Sequence, residues 1–108
     1  MGNKSVYWTS IARSDLDAII NYIAVDSVIK ALAVLGKLEK KAASLSAQSG
    51  RGRIVPELKT IGINHYRELI VKPWRIVYRV ESDRVLIMAV LDSRRDLDHL
   101  LLQRLVLN

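Results

Sequence analysis

Cysteine is absent from this chain, and histidine occurs only twice, at His65 and His99. The first absence excludes disulfides, thiolate nucleophiles and cysteine-bearing zinc sites, and two histidines build no standard metal centre without carboxylate help. Neither a metal nor any other cofactor is expected. Long hydrophobic runs are lacking as well. The longest uncharged apolar stretch, Val85 to Leu91, falls far short of the roughly 20 residues needed to span a bilayer. The opening Met1-Gly2-Asn3-Lys4 leads into no apolar signal region,. The expectation is a cytoplasmic protein without membrane association.

What the chain has in excess is positive charge, and the excess is local. Of the formal net charge of +6, most arises between Arg51 and Arg95, where ten arginines and lysines face five acids. Outside that span seven basic residues face six acids. A concentrated positive field favours an anionic partner, whether nucleic acid or an acidic protein segment. Half of the residues are hydrophobic, enough to give 108 residues a core, so residues 1–108 are expected to form one domain.

Val6-Tyr7-Trp8 reads as a short strand ending at Thr9-Ser10, two residues suited to capping a helix. Apolar residues then fall at Ala12, Leu16, Ile19, Ile20 and Ile23, spacings of three and four that predict a helix to about Ala24. Asp26-Ser27 breaks and recaps the chain. Val28, Leu32, Leu35, Leu38, Ala42 and Leu45 mark a second helix, with Lys37, Lys40 and Lys41 late in it, where the helix dipole favours cations. Residues 46–52 read as a loop, and Pro56 through Gly62 as irregular. Three strand-like runs follow, 66–71, 74–80 and 85–91, the last apolar on both faces as a central strand is. Arg94-Arg95-Asp96-Leu97 opens a short terminal helix.

The expected fold class is therefore α+β: an N-terminal strand and an α-hairpin packed on one face of a small, mainly antiparallel sheet, with a short C-terminal helix and the other sheet face partly open. In the strand Trp74-Arg75-Ile76-Val77-Tyr78-Arg79-Val80, alternation sends Arg75 and Arg79 to one face and Trp74, Ile76, Tyr78 and Val80 to the other. The turn at Pro73 decides whether Arg67 joins them. An even-length turn opposes Ile70 to Arg75 and leaves Arg67 on the other face. A three-residue turn, Lys72 to Trp74, opposes Val71 to Arg75 and gathers all three arginines. The second is favoured, because the first sends Arg67 toward the helices, where an unpaired guanidinium is costly to bury.

The order of elements, together with Pro56-Glu57-Leu58, Tyr66-Arg67-Glu68-Leu69-Ile70-Val71, Trp74 through Val80 and Ser93-Arg94-Arg95-Asp96-Leu97, resembles the RelE/ParE superfamily of type II toxins. The resemblance covers almost the whole chain. It implies a growth-arresting toxin of a plasmid or chromosomal toxin-antitoxin module, held in a hetero-oligomer by a cognate ParD-like or RelB-like antitoxin. ParE-like members of the superfamily inhibit DNA gyrase, whereas RelE-like members enter the ribosome and cleave mRNA.

RNA cleavage through the 2′-hydroxyl needs a base, an acid and cations for the charge growing on the phosphate. By the resemblance, Arg67, Arg75 and Arg94 fall where RelE-like toxins hold that phosphate. Leu69 falls where a second strand lysine is expected, and Leu100 at the tyrosine position. An arginine cannot take over proton transfer, since its pKa above about 12 leaves no neutral form. His65 or Tyr66 is left to do so in an endoribonuclease reading; His65 is more simply a loop histidine, and His99 a surface one. Asp92 stands where a histidine often precedes the paired arginines and repels phosphate. Glu68, beside Arg75 or Arg79, is more simply a cross-strand ion partner than a catalytic carboxylate. The expectation is a ParE-like toxin, with Arg67, Arg75, Arg79, Arg94, Arg95 and Trp74 as the antitoxin- or target-binding residues.

Overall fold

A computed structural model describes residues 3–95 and 97–106. Its centre is a five-stranded sheet in the order β1-β5-β4-β3-β2, formed by β1 (Ser5–Trp8), β2 (Arg53–Ile54), β3 (Arg67–Val71), β4 (Trp74–Val80) and β5 (Arg84–Asp92). β1 runs parallel to β5, and all other pairings are antiparallel. The fold is α+β, as the order of elements implied.

The α-hairpin consists of α1 (Ser10–Asp26) and α2 (Val28–Ala43). Thr9 caps α1 by accepting the Ala12 N–H at 3.2 Å, and its own hydroxyl donates to the Ile87 carbonyl at 2.8 Å. One residue thus starts the helix and ties it to β5. Ser27 serves both helices: its N–H donates to the Ile23 carbonyl at 3.0 Å, closing α1, and its Oγ accepts from Lys30 N at 3.1 Å, opening α2. The hairpin buries Ala12, Leu16, Leu38 and Ala42 against Leu69, Ile76, Tyr78, Val85 and Ile87 on the sheet.

The opposite sheet face is covered, contrary to the partly open face expected. A four-residue helix, α3 (Pro56–Lys59), and the terminal α4 (Leu97–Leu105) lie over it. Val55, Leu58, Leu97 and Leu101 pack there on Tyr66, Val77, Ala89 and Leu91. α3 falls in the stretch read as irregular and β2 between that stretch and the 46–52 loop, because elements of four and two residues are too short to display a period. β5 is buried on both sides, as its unbroken apolar run implies. Pairing skips Met88, since Val77 opposes Ala89 while Tyr78 opposes Ile87, and this bulge lets both Met88 and Ala89 serve the α3–α4 face,.

The β3–β4 register is the even one. Val71 opposes Trp74, Ile70 opposes Arg75 and Arg67 opposes Tyr78. The favoured three-residue turn is therefore incorrect, and Arg67 lies on the face opposite Arg75. The energetic objection to this register fails because Arg67 is not left unpaired: it lies at the start of β3, half-buried, and donates to the Gly52 carbonyl at 2.7 Å. The register in turn places Glu68 on the face of Arg75, where the two bond.

α4 is tied back to the hairpin. Asp15 accepts the Val90 N–H at 3.1 Å, beyond the point where β1 ends, and receives both terminal nitrogens of Arg104 at 2.8 and 3.0 Å. This bond holds the Arg104 pKa above its ordinary value. Asp96, expected at the entry to α4, lies outside the described residues.

Candidate functional site

Two regions carry Arg75, Trp74, Arg94 and Arg95 of the residues that the sequence singles out, and they differ in how their charge is used. The first is an ion network on the α3–α4 side of the sheet. Alternation along β3 and β4 brings Glu68 and Arg75 to this face, Pro56 starts α3 so that Glu57 overhangs it, and β2 supplies Arg53 at the edge. Arg75 NH1 donates to Glu57 Oε1 at 2.9 Å and to Glu68 Oε1 at 3.1 Å, while Arg53 Nε donates to Glu68 Oε2 at 2.7 Å. The Glu68 side chain is wholly buried. Burial, the largest single influence, pushes the Glu57 carboxyl up, but the Arg75 hydrogen bond, a backbone hydrogen bond and the charges of Arg75 and Arg53 together outweigh it and leave the pKa lowered. Arg75 shows the mirror image: burial works against its charge, and the bonds to Glu57 and Glu68 raise its pKa on balance. Two cations and two carboxylates cancel, so the cluster presents little net charge to an incoming phosphate. An open depression of about 450 Å³ beside it is lined by Ile70, Lys72, Pro73 and Ser93 together with Arg53 and Arg75.

The second region is a groove of about 640 Å³ between α1 and the ends of β4 and β5. Ile19, Tyr22 and Ile23 project from successive turns of α1, and Trp74 closes the apolar wall. Arg94 and Arg95, just past β5, stand at its rim with Asp92. Arg94 donates to both carboxylate oxygens of Asp92, at 2.6 and 2.9 Å, and the hydrogen bonds from its side chain and backbone pull the Asp92 pKa down to about 2. The Arg94 guanidinium stays largely in solvent.

The expected site residues are therefore dispersed. Arg67 lies on the hairpin face, near the Tyr78 hydroxyl, which accepts the Gly52 N–H at 2.8 Å and donates to the Ser49 carbonyl at 3.0 Å. Burial raises the Tyr78 pKa, with the Gly52 bond and the nearby Arg67 and Arg51 opposing the rise. Arg79 pairs with Glu81 at 2.9 Å, and among the described residues its buried Nε has no partner. Of these residues, Trp74, Arg94 and Arg95 share one cavity. His65 is exposed with its ring 4.4 Å from that of Tyr66, and Tyr66 is buried with its hydroxyl directed at the Leu105 carbonyl at 3.5 Å. His99 is exposed on α4. Sequence reasoning missed Ile19, Tyr22 and Ile23 as groove residues, although their spacing was visible, because the same periodicity describes a core-facing stripe.

The family model for the ParE toxin of the type II toxin-antitoxin system parDE matches residues 6–97, from β1 to the start of α4. The chain belongs to this family. Toxin ParE3 of Caulobacter vibrioides is 33% identical over 84 residues, covering 77% of this chain and 80% of that toxin. Among solved structures, the chromosomal ParDE toxin-antitoxin system from P. aeruginosa superposes with a TM-score of 0.68 at 24% identity, covering 82% of this chain and 95% of that one. The toxin-antitoxin complex RelBE2 from Mycobacterium tuberculosis gives 0.62 at 21% identity, covering 85% and 93%. At such identities the structures establish the RelE/ParE fold, and the family match places the chain on the ParE side of it.

Proposed function

We propose that this ParE-family toxin arrests growth by inhibiting DNA gyrase without catalysis, and that a ParD-like antitoxin neutralises it in the cytoplasm by laying an amphipathic, acidic segment into the α1 groove. The dispersal of the arginines carries the reading. Arg67 and Arg75 emerge on opposite faces of the sheet, Arg75 is held by two carboxylates, and Arg94 shares its charge with Asp92. A phosphoryl transition state needs several donors converging on one point, and these three do not converge. The groove supports the antitoxin part: an apolar wall with Arg94 and Arg95 at its rim suits a helix with apolar anchors and acidic flanks.

The test is controlled expression with replication, DNA damage and protein synthesis followed separately. DNA damage with continuing translation is the expected outcome. Early loss of translation with transcripts cut in the ribosomal A site favours the RelE-like endoribonuclease and sinks the gyrase reading. For the groove, Ile19→Glu and Tyr22→Glu should each weaken antitoxin binding at least about tenfold, measured by calorimetry.

A further inference from the structure

Four cations without a carboxylate gather where α2 ends. A pocket of about 330 Å³ there is lined by Lys37, Lys40, Lys41, Ser44 and Arg51. Lys40 and Lys41 follow Lys37 by three and four residues, so the lysines share one side of the helix. Arg51 joins them from the following loop: its NH1 donates to Ser44 Oγ at 3.1 Å, and that hydroxyl donates to the Lys41 carbonyl at 2.6 Å. Among the described residues none of the four cations has an ion partner. Between Val28 and Gly52 the only acid is Glu39, and it pairs with Arg13 of α1 at 3.7 Å.

Helix electrostatics account for only part of this cluster. Cations in the last turn of a helix meet the negative end of its dipole, which suits Lys40 and Lys41,. Lys37 lies before that turn and Arg51 outside the helix, so the dipole does not explain them. Like charges three and four residues apart destabilise a helix, and a fourth cation held against them by a serine adds to the repulsion. An anion bound in the pocket removes that repulsion.

We propose that this pocket is a phosphate-binding site for the backbone of duplex DNA, by which the toxin holds DNA without reading its sequence. Its lining side chains, Lys, Arg and Ser, are types that contact phosphate oxygens and so position a protein on a duplex,. Lysine and arginine carry donors only, and the Ser44 hydroxyl is engaged by Arg51 and the Lys41 carbonyl. The pocket therefore suits phosphate better than the 2′-hydroxyl by which RNA is told from DNA. No aromatic ring lines it, so unpaired bases find no stacking platform,. No apolar side chain lines it either, whereas a helical protein segment is anchored by apolar residues such as those the α1 groove accommodates,. The two sites share no residue, so DNA in one leaves the other open to the antitoxin. Its use at gyrase rests on the reading above; the binding itself does not.

In fluorescence anisotropy the full chain should bind a short labelled DNA duplex of arbitrary sequence at low salt. Four phosphate contacts give log affinity a slope of about −3.6 against log salt, about −0.9 for each. Lys37→Gln and Arg51→Gln, both at exposed positions, should each make the slope shallower by about one, whereas Lys37→Arg should keep it. Lys59→Gln removes the same charge from α3, on the other side of the sheet, and should leave the slope as it is. Failure to bind at low salt overturns the proposal, as does a slope that both pocket variants leave unchanged or that Lys59→Gln alters equally. Tighter binding of an RNA duplex, or equally tight binding of polyglutamate, overturns it too, by assigning the pocket to RNA or to an acidic protein. The assay contains no gyrase, so failure of this site and failure of the gyrase reading are separate results.

Discussion

Arg75 and Arg94 are both arginines in the basic stretch of the chain, but they live in different surroundings. Arg75 has 14% of its side chain exposed and is bonded to two carboxylates; Arg94 has 74% exposed and one carboxylate beside it. The first is part of the structure, since withdrawing a buried cation from its partners leaves charges that water cannot reach. The second is available to a partner. A local excess of positive charge thus says little about binding until the carboxylates that consume it are placed. In the Arg51–Arg95 span, Glu57, Glu68, Glu81 and Asp92 are all engaged by arginines.

The largest effect should come from the buried side of this comparison. Glu68→Ala leaves Arg75 and Arg53 without their shared carboxylate, and the cost should be about 3–5 kcal/mol, near the whole stability of some domains. Urea denaturation measures it. Glu68→Gln, which retains the shape and one acceptor, should cost less. If Glu68→Ala unfolds no more easily than the native chain, the network is an ornament and Arg75 returns as a binding residue.

Next in size is the bond system that holds the 46–52 loop against the sheet. Tyr78→Phe removes the acceptor for Gly52 N–H and the donor to Ser49 O, both at a buried position, and should cost about 1–3 kcal/mol. Gly52→Ala should be harsher than this, because its Cβ meets the Tyr78 hydroxyl at 2.6 Å and the Glu68 backbone closer still. The same urea titration separates the two.

Much of this organisation was legible in the residues. Thr9 and Ser27 act as the caps their types announce, and the spacing of Ala12, Leu16, Leu38 and Ala42 places the hairpin core. The Glu68–Arg75 ion pair was legible too, yet it is incompatible with the three-residue turn at Pro73, which sends Glu68 and Arg75 to opposite faces. The ion pair is what the chain realises. The choice went astray at Arg67, whose partner is a backbone carbonyl in a distant loop; side-chain types do not reveal such a partner. The cover over the second face escaped notice because α3 has only four residues and the leucines of α4, at 97, 100, 101 and 105, had no known target. For the groove, Trp74, Arg94 and Arg95 stood out in the sequence as candidate binding residues, but their convergence on α1 depends on how the hairpin sits on the sheet.

Arg94→Ala sharpens the exposed side. The urea midpoint should hardly move, since isolated surface ion pairs contribute little. Antitoxin association should slow, more so at low salt, because a rim charge acts mainly on the encounter rate; stopped-flow mixing at two ionic strengths reads this directly. Equal rates for the variant and the native toxin would remove Arg94 from the binding surface.

The smallest effect is the acid response of Asp92, and its sign is set by the same pair. The carboxyl is held at about 2 in the folded chain against an ordinary 3.8, so the native state binds its proton less readily than the unfolded state does. Its contribution to stability is therefore fully present above the unfolded value and is lost as pH falls from there through about 2. Glu57, whose pKa Arg75 also lowers, likewise loses its contribution as pH falls below 4.5. Carboxyl-carbon NMR should find Asp92 titrating near 2 in the native chain and close to its ordinary value in Arg94→Ala, with Glu57 unchanged by that substitution. Were Glu57 to shift along with Asp92, the two arginines would belong to one coupled network, and the division between a structural and an available cation would fail.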